Sequence, residues 1–237
     1  MSHHRWKRAS YRGIPRGKND SFTMKKNSPK PFSPPRHTPC LMQTTWTSPT
    51  HIFSYITLED LAPISKMLAK ETVCSWLFFG PNTPEATHAY FLPFVHENIL
   101  ALAEKRMPRH FVFIIRNRET GSFIGQCTLI AEDLSPRTYR VGYQIDDPFW
   151  NRGIGSEAVT FLVWFAFRIA GAYRLNADTA TGNRGSVRVL EKAGFVAEGR
   201  QRKYWCAKGD YHDRLLFGLL VEEIEYDVFA ALDQLFS

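Results

Sequence analysis

The most constraining feature of the sequence is a run of ten mostly apolar residues, AVTFLVWFAF, at positions 158–167. A surface helix carries its apolar residues on one stripe, whereas this run is apolar nearly all round. It is too short to span a bilayer and is followed directly by Arg168. We therefore predict a helix over 154–170 that the rest of the fold covers on both sides.

Two glycines, Gly153 and Gly155, stand where this helix begins, within the stretch PFWNRGIGSEA at 148–158. Glycine is a poor helix former, so this placement indicates a need for bare backbone. The first turn of a helix has N–H groups without intrahelical acceptors, and its dipole favours an anion. With Arg152 beside it, the loop is predicted to cradle a pyrophosphate. A tight strand-to-helix turn without a ligand is the alternative.

The remaining pattern predicts strands alternating with helices, and no internal repeat is found. The predicted strands are 51–56, 110–117, 122–132, 138–146, 173–179, 195–205 and 213–220, and the predicted helices are 58–70, 83–105, 154–170, 185–194 and 221–235. The last helix is amphipathic and is expected to pack on the protein's own sheet, with dimerisation as the alternative. Its apolar face is assigned to Val221, Ile224, Val228, Ala231, Leu232 and Leu235.

The N-terminal segment 1–48 is predicted to be a disordered tail because it is rich in Pro, Ser, Lys and Arg. Residues 1–50 carry ten Lys or Arg and one acid, Asp20, whereas the rest of the chain carries 20 and 22. The overall net charge of +7 therefore belongs to the tail. A basic arm that contacts RNA or the ribosome is one interpretation. A solvated extension, or a chain that starts at Met24 or Met42, is the other.

The four cysteines lie far apart and predict neither a disulfide framework nor a metal site. Scattered thiols are typical of a reducing cytosol. The N-terminus has no apolar stretch typical of a secretory signal. We therefore expect a cytoplasmic protein without a membrane anchor and without a metal, present as a monomer or a dimer.

A nicotinamide-dependent enzyme is a competing interpretation, because GIGSEA fits the dinucleotide pattern G-x-G-x-x-A and Asp178 ends the next predicted strand. Three features disfavour it. The loop lies far from the first strand, the connection from Ile145 to Gly153 is long, and a second nucleotide-binding half is missing.

Three motifs together resemble the GNAT superfamily of N-acetyltransferases, and within it the Rim-type ribosomal-protein N-terminal acetyltransferases. They are GYQIDDPFWNRGIGSEA, NRGSVRVLEKAGFVAEG and GDYHDRLLFGLL, and the resemblance covers residues 50–220. It implies one α/β domain over 49–237, with a twisted, mixed and mostly antiparallel sheet and helices on both faces. Its central parallel strands would splay apart around acetyl-CoA.

The resemblance also implies which residues contact acetyl-CoA. Gly153 and Gly155, with the amides of Arg152, Ile154 and Ser156, would hold the pyrophosphate. Backbone from Tyr143 to Ile145 would pair with the pantetheine arm, and Asn183 would contact that arm from the next helix.

The implied reaction is direct acetyl transfer to a primary amine in a ternary complex, with Ser186 and Asn183 as candidate catalytic residues. Many relatives carry a tyrosine acid where this chain has Leu190, whereas the Rim-type branch has a serine, matched by Ser186. Ser186 would hydrogen-bond the sulfur, or it only bonds the helix backbone. Asn183 has an alternative role as the helix N-cap. A backbone N–H near Ile145 would serve the oxyanion.

The general base is the weak point of the resemblance. Relatives often carry a glutamate where this chain has Arg140. Two interpretations of Asp146 and Asp147 are open. They would relay a proton from the amine through water, or they are solvated acids of the loop. His88, His96, His110 and His212 are scattered and not expected to be catalytic.

The acceptor pocket is expected near helix 83–105, the strand around Cys127, and Tyr204, Trp205 and Tyr211. The residues leave a peptide N-terminus, an aminoglycoside, a polyamine and a free amino acid open, while the resemblance favours the protein α-amine. A catalytically weak CoA-binding module with a basic RNA-docking arm is the alternative function.

Overall fold

The computed structural model describes residues 43–236, so most of the predicted tail, including both alternative start positions, lies outside the described residues. Eight strands form one sheet in the order β1-β2-β3-β4-β5-β6-β8-β7. They are β1 Thr45–Thr47, β2 His51–Tyr55, β3 Phe111–Asn117, β4 Phe123–Ala131, β5 Thr138–Ile145, β6 Arg174–Ala180, β7 Val196–Ala207 and β8 Asp210–Leu220. Only β5 and β6 are parallel among the paired strands of this range. The predicted mixed, mostly antiparallel sheet is confirmed.

Helices cover both faces of the sheet. They are α1 Leu61–Leu68, α2 Glu71–Cys74, α3 Pro84–Ala103, α4 Ile154–Trp164, α5 Arg184–Lys192 and α6 Tyr226–Leu235. Side chains alternate along β3, so Phe113 belongs to the core around α4, whereas Val112 and Ile114 belong to the core around α1 and α3. This alternation confirms the predicted layers, because each face of one strand meets a different helical layer.

Helix α4 is surrounded as its composition predicts. Phe161 is fully buried and stacks on Phe53 of β2 with ring centroids 4.1 Å apart. The helix continues through a π-turn at Phe165–Ile169, and Phe165 packs edge-on against Phe113. Burying such aromatic side chains contributes about 1.5–3 kcal/mol each, so α4 anchors the sheet and fixes the position of its own N-terminus.

The folded chain begins earlier than the boundary expected after residue 48. Strand β1 pairs with β2, and Trp46 is only 3% exposed between Phe113 and Phe165. The expectation of disorder is therefore wrong for residues 45–48. One tryptophan among polar residues gave too short a pattern to mark a strand.

The C-terminal helix begins at Tyr226 rather than at 221, because Ile224 and Glu225 have extended backbone angles. This break shifts the phase of the helix. Val228 is 47% exposed whereas Phe229 is buried, and Ala231 is exposed as well. The assigned apolar face is wrong at those two positions. Helix α6 packs against α4, where Trp164 Nε1 donates to Asp233 Oδ1 at 2.8 Å.

Candidate functional site

The two central parallel strands pair over only three residues each. Thr138, Tyr139 and Arg140 of β5 oppose Arg174–Asn176 of β6. Beyond that point β5 follows β4 as far as Ile145, while β6 follows β8 as far as Ala180. The strands therefore separate as predicted. A groove of about 1100 Å³ opens between them and reaches the start of α4.

The start of α4 forms one end of this groove. Gly153 is its N-cap with φ +81°, a left-handed conformation that favours glycine. Within the described chain, no side chain caps this helix start. A Cβ on Gly155 would lie 3.3 Å from Tyr143 Cε2, so glycine allows strand and helix to approach closely. Gly153, Ile154, Gly155 and Ser156 all line the groove, whereas Arg152, which was predicted to join them, does not. Such a helix start suits an anionic phosphate.

The backbone of β5 presents hydrogen-bonding groups to the groove. The amide of Asp146 donates to the Ile124 carbonyl at 2.8 Å. Antiparallel strands alternate the sides to which their N–H and C=O groups point, and the register of β4 and β5 is unbroken. Tyr143 and Ile145 therefore direct these groups away from β4, toward the side that β6 has left, where the Ile145 carbonyl already accepts a hydrogen bond from Trp150 Nε1 at 2.7 Å. An extended amide-containing arm fits against that edge.

Asn183 and Ser186 meet at the start of α5. Asn183 Oδ1 accepts a hydrogen bond from the Ser186 amide at 3.1 Å, so Asn183 is the N-cap of α5. Tyr143 Oη donates to Ser186 Oγ at 3.1 Å. Burial raises the pKa of Tyr143, while the bond to Ser186 opposes part of that rise. Leu190 is 1% exposed, so the position where the resemblance implies a tyrosine in many relatives is a core position here.

The other half of the groove is lined by aromatic side chains. They are Trp76, Phe78, Phe79, Tyr90, Tyr204 and Trp205. Trp205 Nε1 donates to the Trp76 carbonyl at 3.0 Å, which ties the β7–β8 hairpin to the segment before α3. Phe78 is 71% exposed, an unusual state for phenylalanine.

The acceptor pocket predicted from sequence is partly corrected. Tyr204 and Trp205 line the groove, and helix α3 contributes Tyr90. The strand around Cys127 contributes Thr128 and Ile130 to the groove, although Cys127 itself is fully buried in the core. Tyr211 is an exposed side chain that does not line the groove. Segment 75–79 was missed, although SWLFF is an apolar run between two helices that could have indicated an exposed binding surface.

Three of the four charged side chains that line the groove within residues 43–236 are held in ion pairs, and Arg188 is the exception. Asp178 is the only carboxylate among the described residues that line it, and Arg214 Nε binds Asp178 Oδ2 at 2.6 Å. The Arg214 guanidinium also lies 4.7 Å from the Tyr204 ring centre. Arg140 binds Glu132 at 2.7 Å. Asp178 therefore neutralises Arg214 and does not have the surroundings of a ribose-binding acid.

Asp146 and Asp147 have a structural role that neither sequence interpretation anticipated. Lys70 Nζ lies 2.6 Å from Asp146 Oδ1 and 2.8 Å from Asp147 Oδ1, and Thr72 Oγ1 donates to Asp147 Oδ2 at 2.6 Å. The hydrogen bonds from Lys70 and Thr72 lower the pKa of Asp147, and the bond to Asp146 raises the pKa of Lys70. These carboxylates tie the α1–α2 connection to the end of β5. They do not line the groove.

Histidine, metal and membrane-spanning features do not add a site within residues 43–236. None of the histidines in residues 43–236 lines the groove. In the same range, no three His, Cys, Asp or Glu side chains are grouped so that they could hold a metal. No helix within the described range is both long and apolar enough to cross a membrane.

Comparison with known proteins supplies a family. The model of the acetyltransferase (GNAT) domain matches residues 52–196. An uncharacterized N-acetyltransferase, p20 of Bacillus licheniformis, is 32% identical over 166 residues, which are 70% of this chain and 90% of that protein.

Two solved structures share the fold. Spermidine N-acetyltransferase from Vibrio cholerae, in complex with CoA and spermine, matches with TM-score 0.64 and 18% identity over 73% of this chain and 96% of that one. Ribosomal-protein-S5-alanine acetyltransferase from Vibrio fischeri matches with TM-score 0.64 and 21% identity over 75% and 97%. Because both kinds of acceptor occur on this fold, the choice of acceptor depends on the groove itself.

Proposed function

Because the chain belongs to the acetyltransferase (GNAT) domain family and is an acetyl-CoA-dependent N-acetyltransferase, we propose that its acceptor is the α-amine of a peptide or protein N-terminus. The observation that carries this choice is the charge of the groove. Among the described residues, Arg140, Arg188 and Arg214 line it, and the one carboxylate of this lining, Asp178, is already paired with Arg214. A polyamine would bring several positive charges to a wall without free acids.

The acetyl donor fits the other half of the groove. Its pyrophosphate would lie on the α4 start between Arg152 and Ser156, and its pantetheine arm along Tyr143 to Ile145. Asn183 would contact that arm, in addition to capping α5. The Ile145 amide, on the side that β6 has left, would donate to the oxyanion.

The reaction forms a C–N bond and breaks the C–S bond of the thioester. The attacking amine must be neutral, and the proton that it loses is equivalent to the one that the CoA thiolate takes up. Since no unpaired carboxylate or histidine of the described chain lines the groove, the amine depends on its own ionisation. At pH 7 about a tenth of an α-amine is neutral, against less than a thousandth of a lysine-type amine. This difference favours the α-amine.

An acceptor screen that measures thiol release from acetyl-CoA tests the proposal. A peptide with a free N-terminus and an internal lysine is compared with its N-terminally blocked twin, spermidine, an aminoglycoside and free amino acids. We expect the free peptide to be the preferred acceptor, with kcat/KM at least about a hundredfold above that of spermidine. Preference for spermidine or the aminoglycoside would refute the α-amine assignment.

A CoA-binding module without turnover is the second candidate. The observation that favours this candidate is Arg140, which is paired with Glu132 and stands where the resemblance implies a glutamate base. Its signature would be acetyl-CoA binding in calorimetry, no NADH binding, and no thiol release with any amine. In this candidate the basic N-terminal segment docks on RNA with salt-dependent affinity. Unchanged RNA retention after deletion of residues 1–41 would argue against that part.

We propose a cytoplasmic location for the enzyme, as a monomer or a dimer. The support is its cysteine chemistry. Cys74, Cys127 and Cys206 are free thiols, as is usual in a reducing compartment. Measurement of mass in solution would settle the number of chains.

A further inference from the structure

The hydrogen bond between Tyr143 and Ser186 determines where the serine can direct its own proton. Tyr143 Oη donates to Ser186 Oγ, so the serine oxygen is already an acceptor on that side. The Ser186 amide is satisfied by Asn183 Oδ1. Within residues 43–236 the Ser186 hydroxyl donates to no other group. Its proton is therefore available to a molecule in the groove, which both side chains line.

Tyr143 is held in place by its surroundings. Its ring packs against the first turn of α4, where Gly155 leaves room for it. Burial raises the pKa of Tyr143, so its phenol keeps its proton at neutral pH and remains a donor. A buried phenol that donates to a serine fixes the serine rotamer, and linked hydrogen bonds of this kind strengthen one another.

We propose that Tyr143 is a positioning residue that turns the Ser186 hydroxyl toward the sulfur of acetyl-CoA and of the departing CoA thiolate. This inference rests on the proposed use of the groove by acetyl-CoA. Tyr143 transfers no proton in this scheme. As the C–S bond breaks, the electron pair goes to sulfur, and the hydrogen bond from Ser186 stabilises the developing negative charge.

Removal of the phenol frees the serine to rotate. In Tyr143→Phe, the Ser186 hydroxyl can turn back to a helix carbonyl, as serines near helix starts often do. The donor to sulfur would then be lost although Ser186 is still present. Tyr143→Phe and Ser186→Ala should thus have the same consequence.

The test compares wild type, Tyr143→Phe, Ser186→Ala and the double variant. Tyr173→Phe is the matched control, because its hydroxyl donates to Glu222 outside the groove. The first readout is the pKa of the thiol of bound CoA, followed by ultraviolet absorbance of the thiolate. We expect both single variants to raise the pKa of this thiol relative to wild type and to leave the CoA dissociation constant within about twofold. The second readout is turnover, for which each single variant should lower kcat about tenfold, the loss of one hydrogen bond to a charged group.

Each outcome has a distinct meaning. A double variant no worse than the single variants supports the proposal, since both break one hydrogen-bonded unit. A double variant whose fold-loss in kcat equals the product of the two single losses would overturn the proposal. A thiol pKa that moves in Ser186→Ala but not in Tyr143→Phe would overturn it as well. If wild type binds CoA but acetylates no amine while the thiol pKa still moves in both variants, the proposed function fails and this inference stands. No CoA binding by wild type would remove both.

Discussion

The two halves of the groove are lined by different kinds of chemical groups. The half assigned to acetyl-CoA consists of backbone and small side chains, namely the Gly153–Ser156 turn, the β5 edge and the start of α5. The half assigned to the acceptor consists of aromatic rings and paired charges, such as Phe78, Trp205 and the Asp178–Arg214 pair. Backbone amides are supplied by the fold itself, whereas side chains can be replaced without rebuilding the fold. The proposed donor half therefore depends mainly on the backbone, and the proposed acceptor half depends on the side chains of this chain.

The largest expected effect is a loss of acetyl-CoA affinity when the start of α4 is altered. Gly155→Glu places a bulky anion at the helix start and against the Tyr143 ring. We expect at least about a hundredfold loss of acetyl-CoA affinity, measured by calorimetry. Leu134→Glu is the matched control, because it adds the same charge at a fully exposed position. Retained affinity in a folded Gly155→Glu protein would show that the α4 start does not bind the donor.

A smaller effect is expected in the acceptor half. Phe78→Ala removes an exposed ring that faces Trp205. The acceptor KM should rise about tenfold, since burial of such a ring on binding stabilises by about 1.5 kcal/mol, while the acetyl-CoA dissociation constant stays unchanged. Tyr226→Ala, which removes a 77% exposed ring far along the chain, serves as control. If the change fell on acetyl-CoA binding instead, the division into two halves would be wrong.

The smallest effect concerns the contact between the α1–α2 connection and the end of β5. Lys70→Met removes the partner of Asp146 and Asp147, and we expect Tm at pH 7 to fall by about 2 °C. The lowered pKa of Asp147 means that this contribution is present above the carboxyl's unfolded pKa and is lost as pH falls through its folded value.

The difference in Tm between Lys70→Met and wild type should therefore shrink in acid. Lys66→Met removes an exposed lysine from the same stretch of chain and is the control. A difference that is constant across pH would mean that the ion pairs do not stabilise the fold.

Features that depend on nearby residues were predictable from the sequence. The glycine turn, the apolar helix α4 and the Asn183 cap of α5 are each specified within a few positions, by backbone conformation or by periodicity. Strand β1 and the phase of α6 were missed because one buried Trp46 and a two-residue break carry little periodic signal.

Contacts between distant positions could not be predicted in this way. Trp205 and Trp76 are 129 residues apart, and Lys70 lies 76 and 77 residues from its two partners. Tyr143 was assigned through its backbone alone, since nothing local shows that its hydroxyl reaches Ser186, 43 residues further on. Such pairs depend on how the sheet brings elements together, and single-sequence patterns do not encode that geometry.

The short pairing of β5 with β6 has a consequence for the protein before it meets a substrate. Most proteins keep an unpaired strand edge at the margin of a sheet and protect it there, whereas this one exposes such an edge in the middle. The amide hydrogens of Tyr143 and Ile145 should exchange with deuterated water quickly in the empty protein and slowly once an amide-bearing arm lies beside them. The hydrogen bonds along this edge of β5 would then be complete only while the amide-bearing arm of the substrate is bound.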